Sequence, residues 1–325
     1  ISKGSLLVRY QGIPLIASKL SHMECKVLVK KLMRRTNSWL SNSLSFGGRL
    51  QLLASVLFSI QVFWCSTFLL PVAVTKECDI ILRSFLWHWV GSSKKGGKVA
   101  WSVVCSRKAE GGLGIKDTRS WNRAAIMKIG WDICEEIPCW RNILHSRKFL
   151  IHKVLYEVKD GNSFSLWFDP WYLGASIFDK HGMTVIHDSG LPREVKISSF
   201  ISEGRWEPLF LWELIDISNT SAIIPLSAGS DMIHWMKKGG MFSLHEARKA
   251  FIPHNPIVQW SNVVWFPRRI PNHSFCLWLT FKGAHRTLDK LHRWGVVQLV
   301  LCTFGCGQEE SIDHLFFACL FTARI

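Results

Sequence analysis

From Leu50 to Thr75 the chain carries no charged side chain, a run of 26 positions. Such a run leaves two outcomes. A bilayer-spanning helix needs about 20 apolar residues, and a helix buried inside a protein core needs a similar composition. Gln51, Gln61, Ser55, Ser59, Ser66 and Thr67 interrupt the run, and Pro71 falls near its end. A buried core helix fits this composition as well as a span does, and the turn Leu44-Ser45-Phe46-Gly47-Gly48-Arg49 leads into the uncharged run. The whole chain has 325 residues and is 48% hydrophobic, enough to bury a core or two and too apolar for a disordered tail. Its 17 Trp beside 3 Tyr are expected to be largely structural, because Trp buries a large area.

Charge divides the chain unevenly. Residues 1–150 hold 23 Lys/Arg against 8 Asp/Glu, whereas residues 151–325 hold 17 against 16. Nearly all of the net +16 therefore sits in the first half, which points to a polyanionic partner, nucleic acid or an anionic membrane. The spacing predicts a helix over 22–40, with Leu28, Leu32 and Trp39 on one side and Val27 and Met33 beside them. Lys26, Lys30 and Arg34 stand at i, i+4 and i+8, and Lys31 and Arg35 form a second such pair. Like charges at this spacing repel one another, so a helix that keeps five of them is suited to phosphates. A merely solvated face is the alternative. Arg49 joins this set from the following turn.

Further helices are expected over 76–90 and 119–137, the latter bearing Trp121, Ile126, Ile129, Trp131 and Ile133. Between them, GSSKKGGK (91–98) reads as an exposed basic loop with Lys94, Lys95 and Lys98. Glu110-Gly111-Gly112-Leu113-Gly114-Ile115 lacks the Gly-Lys-Ser/Thr ending of a phosphate loop and reads as a turn, so no small-molecule substrate is expected. Residues 151–239 are loop-rich: Asp160-Gly161-Asn162-Ser163 reads as a hairpin-type turn leading into a short strand, Phe164–Phe168. Helical signals return at Ser243–Phe251 and Phe275–Trp294.

The chain opens Ile1-Ser2-Lys3-Gly4, with neither an initiator Met nor a secretory leader, and reads as a fragment whose ten Cys stay reduced. Three of them cluster with a histidine. Cys302, Cys306, His314 and Cys319 follow the spacing C-x3-C-x7-H-x4-C, which suits a closed, structural Zn²⁺ site. Gly305 and Gly307 allow the tight turn between the first ligands. Three unrelated thiols beside a chance histidine are the alternative.

At this point the ordered blocks resemble a known family, the C-terminal part of plant non-LTR (LINE-type) retrotransposon reverse transcriptases. Tyr10-Gln11-Gly12-Ile13-Pro14-Leu15 is similar to the family's Tyr-Leu-Gly-Ile-Pro-Leu stretch, and Trp39–Leu57 (WLSNSLSFGGRLQLLASVL) to its next block. Phe85-Leu86-Trp87, Trp101, Glu110–Gly114, Asn122, Asp160-Gly161 and Trp167-Phe168-Asp169-Pro170-Trp171 continue in order. Trp265, Pro267, Phe275, Trp278, Trp294-Gly295 and the Cys/His run resemble the family's reverse-transcriptase zinc-binding domain. The chain departs by having three residues, not two, between its first two Cys ligands, and Gln11 where Leu is usual.

The resemblance implies a mainly α fold with an irregular, short-β middle: a basic, helical, thumb-like region (1–150), a loop-rich linker (151–239) and a small zinc-stapled C-terminal domain (240–325). It implies that 47–70 is buried against 22–40 and 119–133. It also implies contact with the RNA or DNA backbone through Lys26, Lys30, Lys31, Arg34, Arg35 and Arg49, without reading sequence. Asp313 is expected to orient His314 or to cap, and Phe304 to stack on bases or to be buried in the small core. The family's palm carboxylates stand in an Asp-Asp turn upstream of the Gly-Ile-Pro-Leu block, and its RNase H module follows the zinc motif. No Asp-Asp pair occurs here, so neither polymerase nor nuclease activity is expected. The rival readings are a protein-interaction module, docking a partner through the C-terminal domain, and a degenerate retroelement relic. The charge suits a nuclear or cytoplasmic ribonucleoprotein setting rather than a membrane or secreted one.

Overall fold

The computed structural model describes residues 9–10, 13–14, 20–40, 44–87, 97–136, 153–207, 219 and 224–324. Lys94, Lys95 and much of the Tyr10–Leu15 block lie outside the described residues. The fold is mainly helical with short strand pairs, as expected. Its elements, in order, are β1 (Arg9–Tyr10), β2 (Ile13–Pro14), α1 (His22–Leu40), α2 (Phe46–Leu52), a π-helical turn (Leu53–Leu57), α3 (Phe58–Thr67), α4 (Val72–Trp87), α5 (Trp101–Cys105) and α6 (Thr118–Glu136). There follow β3 (Val154–Glu157), α7 (Ile177–His181), α8 (Thr184–Ser189), β4 (Ile201–Ser202), β5 (Arg205–Trp206), β6 (Met232–Trp235), α9 (Leu244–Lys249), α10 (Ser261–Val264), α11 (Pro271–Phe281) and α12 (Leu288–Arg293). Contacts group the chain into two compact units, residues 1–64, 70–119 and 252–325 in one, and 65–69 and 120–251 in the other.

In the first unit α1 packs on α4. Cys25, Leu28 and Leu32 are fully buried, and Thr36, one further turn along that stripe, donates its hydroxyl to the carbonyls of Leu32 and Met33. The stripe that predicts the helix is thus the stripe it buries, while Val27 and Met33 face outward. The core beyond it joins Leu53 and Leu57 to Leu82, Phe85 and Leu86 of α4, Leu113 and Ile115, and Phe275, Trp278 and Leu279 of α11. Trp278 donates its indole N–H to the Gly111 carbonyl at 3.0 Å. The Glu110–Ile115 stretch is a turn: Gly111 sits at φ +81°, and a Cβ on Gly112 would lie 2.1 Å from the Ser106 carbonyl oxygen. Its glycines serve a close backbone approach, not a phosphate.

Phe46–Thr67 is, among the described residues, the one helical run long and apolar enough to cross a membrane. It also carries fully buried polar groups. Arg49 Nη1 donates to the Phe85 carbonyl, and Gln61 accepts from the Thr118 hydroxyl. At its far end Asn122 donates to the carbonyls of Cys65 and Phe68, which are left over where α3 stops ahead of Pro71. Pro71 itself stands immediately before α4.

The second unit is built on aromatic residues. Phe164, Trp167, Trp171 and Tyr172 are buried together with Ile177, Val185, Ile186 and Ile197. Trp167, Trp171 and Trp206 each donate an indole N–H to a backbone carbonyl, of Pro192, Leu166 and Ile224 respectively. A second cluster packs Met127 and Trp131 of α6 on Trp235 and Phe242. The expected hairpin at 160–163 is not formed. β3 pairs antiparallel with β6, in the register Val154↔Trp235 to Glu157↔Met232, and Phe164–Phe168 is not a strand. The cause is Asp231. Its carboxylate accepts from the backbone N–H groups of Lys159, Gly161 and Ser163, so the chain curls around an acid instead of pairing back on itself. The expected single helical stretch at 275–294 is likewise two helices, because Gly283 at φ +58° ends α11 before α12 begins.

One ion-pair cluster in this unit has a pH signature. Glu157 accepts from Lys238 (2.5 Å) and His234 (2.7 Å), and these bonds hold its carboxyl at about 2, below the ordinary 4.5. Its contribution is fully present above pH 4.5 and is lost as pH falls toward 2. The acid limb of thermal stability is therefore expected to be shallower between those values in Glu157→Gln than in the parent. Superimposable limbs in a pH series of thermal melts would exclude this role.

Candidate metal centre and basic face

Residues 300–319 form a knuckle with no apolar core of its own. Leu301 bridges Glu309, the Cys302 N–H donates to the Gln308 carbonyl, and Gly305 (φ +70°) and Gly307 (φ +80°) turn the loop between them. This turn sets Cys302 and Cys306 on one side. A π-helical turn, His314–Ala318, then carries His314, and the Cys319 N–H donates to the His314 carbonyl as the chain leaves in extended conformation. The four ligand atoms all lie within 4.8 Å of one another. Cys302 Sγ is 3.9 Å from Cys319 Sγ, and Cys306 Sγ is 3.1 Å from His314 Nε2. A tetrahedron with Zn–S bonds of about 2.3 Å has edges of about 3.8 Å. Three thiols and one imidazole at these separations fit Zn²⁺, and the extra residue between Cys302 and Cys306 is absorbed by the glycine turn. All four ligands predicted from spacing are brought together.

The thiols respond differently to this packing. Burial raises the Cys302 thiol, and the facing Cys306 and Cys319 add to the rise. Burial also acts to raise Cys319, but the N–H groups of Phe321 and Thr322 and the facing thiols outweigh it and bring that thiol down. A thiolate is the form that binds metal.

Asp313 takes neither expected role. It is exposed and makes no side-chain hydrogen bond to His314, and the Ser311 hydroxyl accepts from the His314 N–H in its place. Phe304 is half-exposed rather than buried, stacked on Phe321 with centroids 4.7 Å apart. Glu310 is the residue that the spacing does not reveal. It is 5% exposed, and its carboxylate accepts from the N–H of Leu288 at the start of α12 and from the N–H and hydroxyl of Thr303. It thereby ties the ligand loop to α12, with a negative charge at a helix N-terminus. Its neighbour Glu309 is exposed, and nothing in composition tells the two apart.

On α1, Lys26, Lys30, Lys31, Arg34 and Arg35 are all exposed. Four of them, Lys30, Lys31, Arg34 and Arg35, line an open groove of about 840 Å³ whose apolar wall includes Val27, Val56 and Ile60. The Arg35 guanidinium lies 4.7 Å from the centroid of the Trp39 ring, which holds it in place. Arg49 does not belong to this face. It is 1% exposed and bonded to Phe85, because the helix it begins is a core helix, so it cannot meet a phosphate.

Residues 242–325 match the family described as zinc-binding in reverse transcriptase, and together with the Cys3His cluster this makes the C-terminal part a reverse-transcriptase zinc-binding domain. The chain is also similar to two proteins of Arabidopsis thaliana. It is 27% identical over 354 residues to a protein of Arabidopsis thaliana named for ribonuclease H, a match that covers 94% of this chain and 56% of that relative. It is also 24% identical over 144 residues to an uncharacterized mitochondrial protein of Arabidopsis thaliana, covering 35% of this chain and 94% of the relative. The chain thus spans little more than half the length of the first of these relatives.

Proposed function

We propose that this chain is a non-catalytic part of a retrotransposon reverse transcriptase, which binds RNA or DNA backbone without sequence preference and uses zinc to hold its C-terminal domain together. The observation that carries this reading is the basic groove of α1. Four cations line one open groove, with an apolar wall beside them and no carboxylate among its described lining residues. Phosphates supply the compensating charge, and backbone contacts position without specifying sequence. Three thiols and an imidazole complete a tetrahedral set, which leaves zinc no position for water and makes its role structural. The lack of an Asp-Asp pair leaves the chain without the family's palm carboxylates. The test is fluorescence anisotropy of the full chain with single-stranded RNA and duplex DNA across a salt series. A slope of log K against log salt that corresponds to several phosphates, alike for unrelated sequences, is expected. No binding at low salt overturns the reading.

A second reading is favoured by one feature. Leu299, Leu301, Phe317, Leu320 and Phe321 stand exposed around the zinc knuckle, a surface suited to a protein partner. Competition between RNA and such a partner separates the two.

A further inference from the structure

Trp294 is the exception among the tryptophans. It is the one described tryptophan that is mostly exposed, at 61%, whereas Trp64, Trp87, Trp131, Trp167, Trp171, Trp235 and Trp278 are buried. It lines a pocket of about 460 Å³ that also gathers Lys98, Arg286, Lys290 and Arg293. Among the described residues no carboxylate lines this pocket. Lys98 is half-buried, with its ammonium 4.8 Å from the centroid of the Phe46 ring. Among the described residues neither it nor Arg286 pairs with an acid. Burial lowers the Lys98 pKa, and the nearby Arg286 charge lowers it further. Lys290 spends two of its three N–H donors on the carbonyls of Gly283 and His285, which anchors the ammonium and leaves one donor free. Arg293 is held by Asp289 at 3.2 Å and keeps most of its donors for a ligand.

Gathering like charges around a half-buried ammonium costs free energy, and a bound phosphate anion relieves it. The exposed indole beside the cations offers a flat surface of the kind on which bases stack. We infer that this pocket binds one nucleotide of a single strand, its phosphate held by Lys98 and Arg286 with support from Lys290 and Arg293, and its base stacked on Trp294. The inference deepens the nucleic-acid reading and rests on it, and it adds a second contact point, separate from the α1 groove.

The test uses the full zinc-loaded chain and a fluorescein-labelled hexanucleotide of single-stranded DNA at fixed low salt. Four variants are compared with the parent: Lys98→Gln with Arg286→Gln, Trp294→Ala, Trp294→Phe, and Lys30→Gln with Lys31→Gln. The pocket pair is expected to weaken binding about tenfold or more, since it removes two charge-assisted phosphate contacts. Trp294→Ala is expected to weaken binding about fivefold or more, and Trp294→Phe to restore most of it, because the ring is what stacks. Trp294 is exposed, so its truncation leaves the fold intact, and zinc content and circular dichroism verify this. If Lys30→Gln with Lys31→Gln weakens binding while the pocket variants match the parent, the pocket inference falls and the α1 reading stands. If the parent binds nothing, both fall. If inorganic phosphate competes as well as the hexanucleotide does and Trp294→Ala is silent, the pocket is an anion hole and the nucleotide assignment is wrong.

Discussion

Stripping zinc from the full chain, or replacing Cys319 by Ala, is expected to unfold residues 295–324 while the rest of the chain keeps its structure. The reason is what the knuckle lacks. Within 295–324 the buried residues are Cys302, Glu310 and Cys319, two metal ligands and one carboxylate, and no apolar side chain is fully buried among them. The metal therefore stands in for a hydrophobic core, and a structural zinc site contributes on the order of 10 kcal/mol of folding free energy. Upstream the situation is opposite. Phe275, Trp278 and Leu279 of α11 share a core with Leu53, Leu57 and Phe85, which does not depend on the knuckle. The break is thus expected after α12, whose first N–H is bonded to Glu310. The parent should release one equivalent of zinc to a chelator with a colorimetric indicator, and limited proteolysis should then cut beyond residue 294. Full retention of zinc by Cys319→Ala, with an unchanged cleavage pattern, would falsify the site.

How far the chain could be read before its structure was known differs by region, for physical reasons. Helix α1 was legible because its period places Leu28 and Leu32 on one side and the cations on others, and the structure buries the first and exposes the second. The zinc ligands were legible because a metal demands a particular donor set at short range. Two kinds of information were not available locally. Pairing across distance is one: Asp231 organises residues 159–163 from some seventy positions away, and no local turn signal at Asp160–Ser163 foretells it. Burial of a charge is the other. Arg49 looks like a sixth member of the basic set until the core around Phe85 closes over it. Glu310 and Glu309 differ in the same way, one enclosed and one exposed. The pocket beside Trp294 was missed because Lys98 and residues 286–293 converge only once α12 is in place.

Replacing Lys30, Lys31, Arg34 and Arg35 together by Gln is expected to move binding and stability in opposite directions. Each side chain is exposed and none caps or crosses the core, so their removal creates no cavity. Lys30 and Arg34 stand at i,i+4, as do Lys31 and Arg35, so neutralising both pairs relieves repulsion and stabilises α1 by a few tenths of a kcal/mol per pair. Loss of the Arg35 contact with Trp39 offsets this by about 0.5–1 kcal/mol. The melting temperature should therefore stay within a few degrees of the parent. Binding should change far more. Each lost duplex phosphate contact lowers the slope of log K against log salt by about 0.9, so the slope should fall by about 3 to 4, with affinity at low salt down on the order of a thousandfold. A merely solvated face gives the same melting behaviour with no change in either binding quantity. The salt slope of the variant, measured beside its melting curve, thus separates a phosphate-binding helix from a solvated one, because only the former couples those four charges to counterion release.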